Sequence, residues 1–211
     1  MTTSISSLLE EIIRLATNAS RFMIGIAGPP GAGKSTLSDA LRDALIAHGE
    51  TAEILPMDGF HMDNGILEER GLLPRKGSPE TFDVRGFLDI VTAVKRGDEE
   101  VLVPVFDRSR ELAIASARAI SPDTRFILVE GNYLLLDQAP WNRLAPCFDL
   151  TLFVGPPLDV LEQRLRERWV HFGLDEAAIA WKLNGNDLPN GRLVIEKSRP
   201  ANISVDVIDL K

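Results

Sequence analysis

Residues 28–36 read GPPGAGKST and satisfy G-x-x-x-x-G-K-[ST], with Gly28, Gly33, Lys34 and Ser35 in the fixed places. Glycines let successive backbone N–H groups turn inward around a phosphate, and a helix starting directly after the loop adds its dipole. The stretch RFMIGIAG before the loop carries a strand signal, and KSTLSDALRDALIAHG after it carries a helical period. That context argues against an incidental Gly-Pro turn. Gly28, Gly31, Ala32, Gly33, Lys34, Ser35 and Thr36 thus form the phosphate-side set: Lys34 is expected to reach the β and γ phosphates and Ser35 to hold Mg²⁺. The cofactors this predicts are ATP and Mg²⁺.

Two acids stand where strands stop. In ILPMDGFHMD, residues 54–63, an apolar run breaks at Asp58, which by type alone is a turn former, a metal ligand or a base. In RFILVEG the run ends on Glu130, a position open to both an ATPase and a kinase. A guanine-nucleotide switch fits poorly. The D-x-x-G string DVRG at 83–86 follows SPETF rather than a buried strand, and N-K-x-D is missing from the sequence.

The elements that must position these groups alternate. TAEILPMD, FDLTLFVG and ISVDVIDL add strand signals to the two already named, with helical stretches at 84–96, 157–171 and 174–183 between them. This predicts an α/β fold, a parallel sheet sandwiched between helices, in one domain spanning 1–211. Asp58 would then end a strand beside the one that opens the phosphate loop and face the ligand crevice. LPRKGSPE, ISPDT, APWNRLAP and NGNDLPNGR read as loops, and Ile5, Leu8, Leu9, Ile12, Ile13 and Ala16 as the apolar face of an N-terminal helix.

Composition narrows the classes. A net charge of −8 and a pI near 5.0 argue against a general nucleic-acid binder. The N-terminal stretch MTTSISSLLEEIIRLA lacks a basic leader and an unbroken apolar run, so neither a signal peptide nor a membrane span is expected and the cytoplasm is the default. Cys147 stands alone and reads as a packing residue, and with His48 and His171 at helix ends no zinc site is expected. Trp141, Trp169 and Trp181 read as packing residues rather than base-stacking ones. Self-association as a homodimer is compatible with the sequence.

GPPGAGKST, MDGFH, GILEERGLLPRKGSPETFD, VPVFD, ILVEGNYLLL and NDLPNGRLVIEKS together resemble the phosphoribulokinase, uridine kinase and bacterial pantothenate kinase family of P-loop small-molecule kinases, over nearly the whole chain. The resemblance implies a P-loop NTPase fold with a helical lid. It makes Asp58 the base toward an acceptor hydroxyl, with Phe60 and His61 beside it. It lays PRKGSPETFD over the acceptor pocket, with Lys76 and Asp83 as contacts, and sets Phe106 and Arg108 at the acceptor. Arg164 and Arg168 would share a lid face over the transferred phosphoryl, Asn186 would approach nucleotide or substrate, and Glu130 would complete the metal environment through water. Pantothenate kinases resemble PVYSH where this chain has PVFDR, so Phe106 lacks a hydroxyl and Arg108 replaces a histidine.

The function this implies is ATP-dependent transfer of the γ-phosphoryl to a hydroxyl of a small metabolite. The closest pattern is that of compact nucleoside or nucleotide kinase-like members, some associated with fructose uptake, which ranks a sugar such as fructose ahead of a nucleoside or pantothenate. Two alternatives stay open: an ATP-binding switch with little transfer, and a kinase acting on an acceptor phosphate, for which Arg75, Lys76 and Arg108 would supply cations.

Overall fold

The computed structural model describes residues 2–209. Its centre is a parallel five-stranded sheet built from the five apolar runs. In chain order these are β2 (Phe22–Ala27), β3 (Ala52–Pro56), β6 (Phe126–Gly131), β7 (Leu150–Val154) and β8 (Ile203–Val205), arranged β3-β6-β2-β7-β8. Strands covered on both faces can be apolar throughout, and all six residues of β2 and of β6 are buried.

Side chains of successive strand residues feed two cores. Phe22, Ile24, Ile26, Phe126 and Leu128 meet α1 (Ile5–Leu15) and α2 (Lys34–Ala47) through Leu8, Ile12, Leu37, Leu41 and Leu45. Met23, Ile127 and Val129 meet α4 (Val84–Arg96) through Phe87, Val91 and Val94, where Trp141 and Tyr133 complete the packing. Cys147 lies in this second core, and burial pushes its thiol up.

Four features depart from the sequence reading. First, β3 does not lie beside β2; β6 runs between them, with Glu130 in register with both Pro56 and Ile26. Asp58 is therefore one strand away from the loop-bearing strand, and Glu130 fills the intervening place. Second, VLVPVFDRSRELAIASARAI folds as an antiparallel hairpin of β4 (Val101–Asp107) and β5 (Leu112–Ile120), with a register shift between Val103 and Val105. Third, ISVDVIDL is two strands: β8 joins the sheet, while β9 (Val207–Asp209) pairs with β1 (Thr2–Ser4).

Fourth, NGNDLPNGR is helical. Beyond α5 (Leu158–His171) and α6 (Glu176–Lys182) the chain makes a π-helical turn, Leu183–Asp187, and runs straight into α7 (Leu188–Lys197). Pro189 falls at the start of α7 and has no N–H for the Gly185 carbonyl four residues back, which accepts from Arg75 Nη1 at 2.5 Å instead. The asparagines find partners within the turn: Asn184 Nδ2 donates to Ala180 O at 2.9 Å and Asn190 Nδ2 to Asn186 Oδ1 at 3.1 Å.

Candidate active site

The cradle is positioned by close contact. A Cβ on Gly28 would lie 2.2 Å from the Val154 carbonyl oxygen at the end of β7, so only glycine lets the loop leave β2 there. Gly33 caps α2 at φ 97°, a left-handed conformation that side chains resist. Ala32 is buried, and its carbonyl accepts from Arg164 Nη1 at 3.1 Å, which ties the lid helix α5 to the loop. Lys34 is buried with Nζ donating to Pro29 O at 3.0 Å. Burial pulls its ammonium down, with Glu130 and Asp58 opposing.

A cavity of about 660 Å³ runs from this loop to the β4–β5 hairpin. Gly31, Gly33, Lys34, Ser35 and Thr36 line one end; Asp58, His61, Lys76, Phe106 and Arg108 line the other; Glu130 lies on the same wall and Arg164, Arg168 and Asn186 on the lid side. The donor set suits a hydrated divalent ion, since Ser35 opens α2 and Glu130 brings a carboxylate to the same cavity. The pair of acids is split by its surroundings. Burial and the Asp58 charge push Glu130 up to about 7. Burial also pushes Asp58 up, but Arg108, His61, Lys34 and Arg168 outweigh it and hold that carboxyl below its ordinary value.

Asp58 sits in a 3₁₀ turn, Met57–Phe60, with its side chain 23% exposed and its Oδ2 in a direct ion pair with Arg108 Nη2. His61 Nδ1 lies 2.7 Å from the Asp58 carbonyl oxygen, an acceptor only, so Nδ1 carries the proton. The imidazole packs between Phe82 and Phe106, with centroids 4.1 and 4.6 Å away, and burial pulls its pKa down. Lys76 Nζ donates to Asn64 Oδ1 at 2.8 Å and to Glu111 O at 2.7 Å.

Two expected contacts lie elsewhere. Phe60 is a core residue, 7% exposed and 4.9 Å from the Phe87 ring, because side chains two apart in a 3₁₀ turn of about three residues leave it on different sides. Asp83 is exposed and caps α4, its Oδ1 accepting from Gly86 N at 3.0 Å. That role is readable in the sequence as an acid just ahead of an apolar helical period. Arg75 also turns from the cavity, donating to Gly185 O at 2.5 Å and Asn190 Oδ1 at 3.3 Å, while Asn186 Nδ2 donates to Lys76 O at 2.8 Å. The acceptor loop and the π-turn of the lid are thus stapled together, and Asn186 faces that loop.

The lid arginines do share a face. Arg168 is pulled down by burial and by the neighbouring Arg108. Sequence reasoning missed Asn64, Glu111 and Asn132, although Asn132 directly follows the strand-ending EG. It also misjudged Trp181. Trp141 is buried and Trp169 Nε1 donates to Asp187 Oδ2 at 2.7 Å, but Trp181 is 57% exposed and lines the cavity. A seven-residue helix on the lid has too little neighbouring surface to cover an indole.

A phosphate loop, a strand-end acid and a cationic lid around one cavity define a P-loop phosphotransferase. Comparison with known proteins places it further. A family described as methylmalonyl Co-A mutase-associated GTPase MeaB matches residues 2–69, which include the phosphate loop but less than half the chain. A crystal structure from Silicibacter sp. TM1040, provisionally titled a fructose transport system kinase, is 42% identical, covers 96% of this chain and 98% of its own, and superposes with a TM-score of 0.90. A provisionally named uridine kinase of Schizosaccharomyces pombe is 31% identical over 99% of this chain and 92% of its own. The pantothenate kinase of Leifsonia xyli is 35% identical over 72% of this chain, which spans only 48% of that protein. The chain belongs to the family of P-loop small-molecule kinases that includes the uridine and pantothenate kinases, and it is an ATP-dependent phosphotransferase with an alcohol group as acceptor.

Proposed function

We propose that the acceptor is an uncharged sugar, with fructose the first to test, and that Asp58 receives the proton of its attacking hydroxyl. The observation that carries this reading is the charge balance at the acceptor end. Arg108 is paired with Asp58, and Lys76 is held by Asn64 and by Glu111, whose carboxylate lies 4.0 Å away. Arg75 is committed to the lid. A carboxylate or phosphate on the acceptor would have to draw Lys76 from Asn64 and Glu111 or Arg75 from Gly185 and Asn190, whereas hydroxyl groups can bond to Asn64, Asn132, Glu111 and His61 and need displace only Arg108 from Asp58. The provisional title of the Silicibacter structure points the same way.

In this reading the phosphate loop and Lys34 hold the β and γ phosphates, and Mg²⁺ is held by Ser35 and, through water, Glu130. Bound there, the ion would neutralise charge between the β and γ phosphates. Arg164 and Arg168 close over the transferred phosphoryl and exclude water. The acceptor oxygen bonds to the γ phosphorus as the bond to the β–γ bridging oxygen breaks; ADP leaves with that electron pair and the hydroxyl proton passes to Asp58. Because such transfers are loose, alignment matters more than the strength of the base.

The test is product detection with ATP across fructose and other sugars, nucleosides, pantothenate and nucleoside monophosphates. A sugar phosphate that disappears in Asp58→Asn is expected. Product from only the anionic acceptors would overturn the sugar assignment, and ATP binding without product from any of them would favour the switch.

A further inference from the structure

The contact between Arg108 and Asp58 joins residues 50 positions apart and places a guanidinium on one oxygen of the carboxylate. Arg108 sits just past the end of β4, in a turn anchored not by itself but by Asp107, whose Oδ1 accepts from Ser109 N at 2.9 Å and Ser109 Oγ at 2.6 Å. Its side chain is 43% exposed, and its guanidinium lies 5.7 Å from the Phe106 centroid, over a flat face it can slide across. Behind it stands Arg168, whose charge repels it. Among the described residues the Arg108 side chain is thus held by one carboxylate and rests on one aromatic ring.

We propose that Arg108 is a mask on Asp58: with no acceptor bound it occupies the carboxylate and suppresses ATP hydrolysis, and the acceptor hydroxyl displaces it. The reaction suppressed is attack of a water oxygen on the γ phosphorus, with the bridging P–O bond breaking toward ADP and the water proton going to Asp58. A water cannot hold Asp58 against a charge-assisted pair, whereas an acceptor fixed by several hydroxyl contacts can. Arg108 is therefore a positioning residue acting through Asp58. The inference rests on the reading of Asp58 as proton acceptor but not on which acceptor is used.

The experiment is ATP hydrolysis with no acceptor present, for wild type, Arg108→Gln, Arg108→Lys and Arg108→Gln/Asp58→Asn. Arg108→Gln should hydrolyse ATP on the order of 10-fold faster than wild type, within the range a positioned base contributes. Arg108→Lys, which keeps the charge but not the planar fork, should give a smaller gain than Arg108→Gln, and the double variant should lose the gain. A purely structural arginine would not give a gain that a second substitution removes. Unchanged or slower hydrolysis in Arg108→Gln, or a gain that survives in the double variant, overturns the mask. If Asp58→Asn alone keeps full transfer to an acceptor, the reading of Asp58 falls and the mask with it; if Asp58→Asn loses transfer but Arg108→Gln shows no gain, only the mask falls.

Discussion

Asp58 and Glu130 meet in one cavity but carry different tasks, and their substitutions should behave differently. Asp58→Asn should bind ATP normally and lose roughly 10² to 10⁴ in turnover, read by equilibrium nucleotide binding beside steady-state rates. Glu130, pushed up to about 7 from 4.5, binds its proton more tightly in the folded protein. Its contribution to stability is complete below about pH 4.5 and is lost as pH rises through about 7. Glu130→Gln should therefore be more stable than wild type at pH 8 by ~1–3 kcal/mol, with the gap closing toward pH 4.5. Urea unfolding in metal-free buffer at several pH values would measure it. At this scale the phosphate loop was readable because its residues act through backbone and neighbours only a few positions away. Phe60 was not, since a two-residue offset in a tight turn decides whether a side chain enters a cavity or a core, whereas the capping role of Asp83 was legible and yields to the resemblance only because the motif runs through it.

Among the elements, the turn bearing Asp58 depends on the hairpin beneath it. A Cβ on Gly59 would lie 2.3 Å from Pro104 O, so turn and hairpin touch backbone to backbone. Gly59→Ala should cost ~1–3 kcal/mol of stability and lower turnover by displacing Asp58, checked by thermal unfolding and kinetics on the same preparation. The five sheet strands were legible because burial on both faces makes each an apolar run. The hairpin was not, because much of β5 is exposed and Pro104 interrupts its partner. The π-turn hid for the opposite reason: asparagine, glycine and proline spell a loop until tertiary contacts, such as Arg75 Nη1 donating to Gly185 O and Asn186 Nδ2 to Lys76 O, reward a continuous helix.

Across the whole molecule, lid, acceptor loop and hairpin converge on one cavity while the sheet stays fixed behind them. Trp181 is the exposed indole of that assembly. Trp141 is buried in the core, whereas Trp169 and Trp181 both line the cavity, so a change in emission on adding a sugar acceptor should shrink in Trp181→Phe and vanish when both are replaced by Phe. A change that survives in the double variant would place the acceptor away from the lid. The matched pairs at the acceptor end have one more consequence, for the ionic medium. An uncharged acceptor, as proposed, brings no charge of its own for mobile ions to screen, whereas a triphosphate held by Lys34, Arg164 and Arg168 does. Raising salt should weaken the apparent affinity for ATP and leave that for the sugar nearly flat, so the two substrates should part company along an ionic-strength axis.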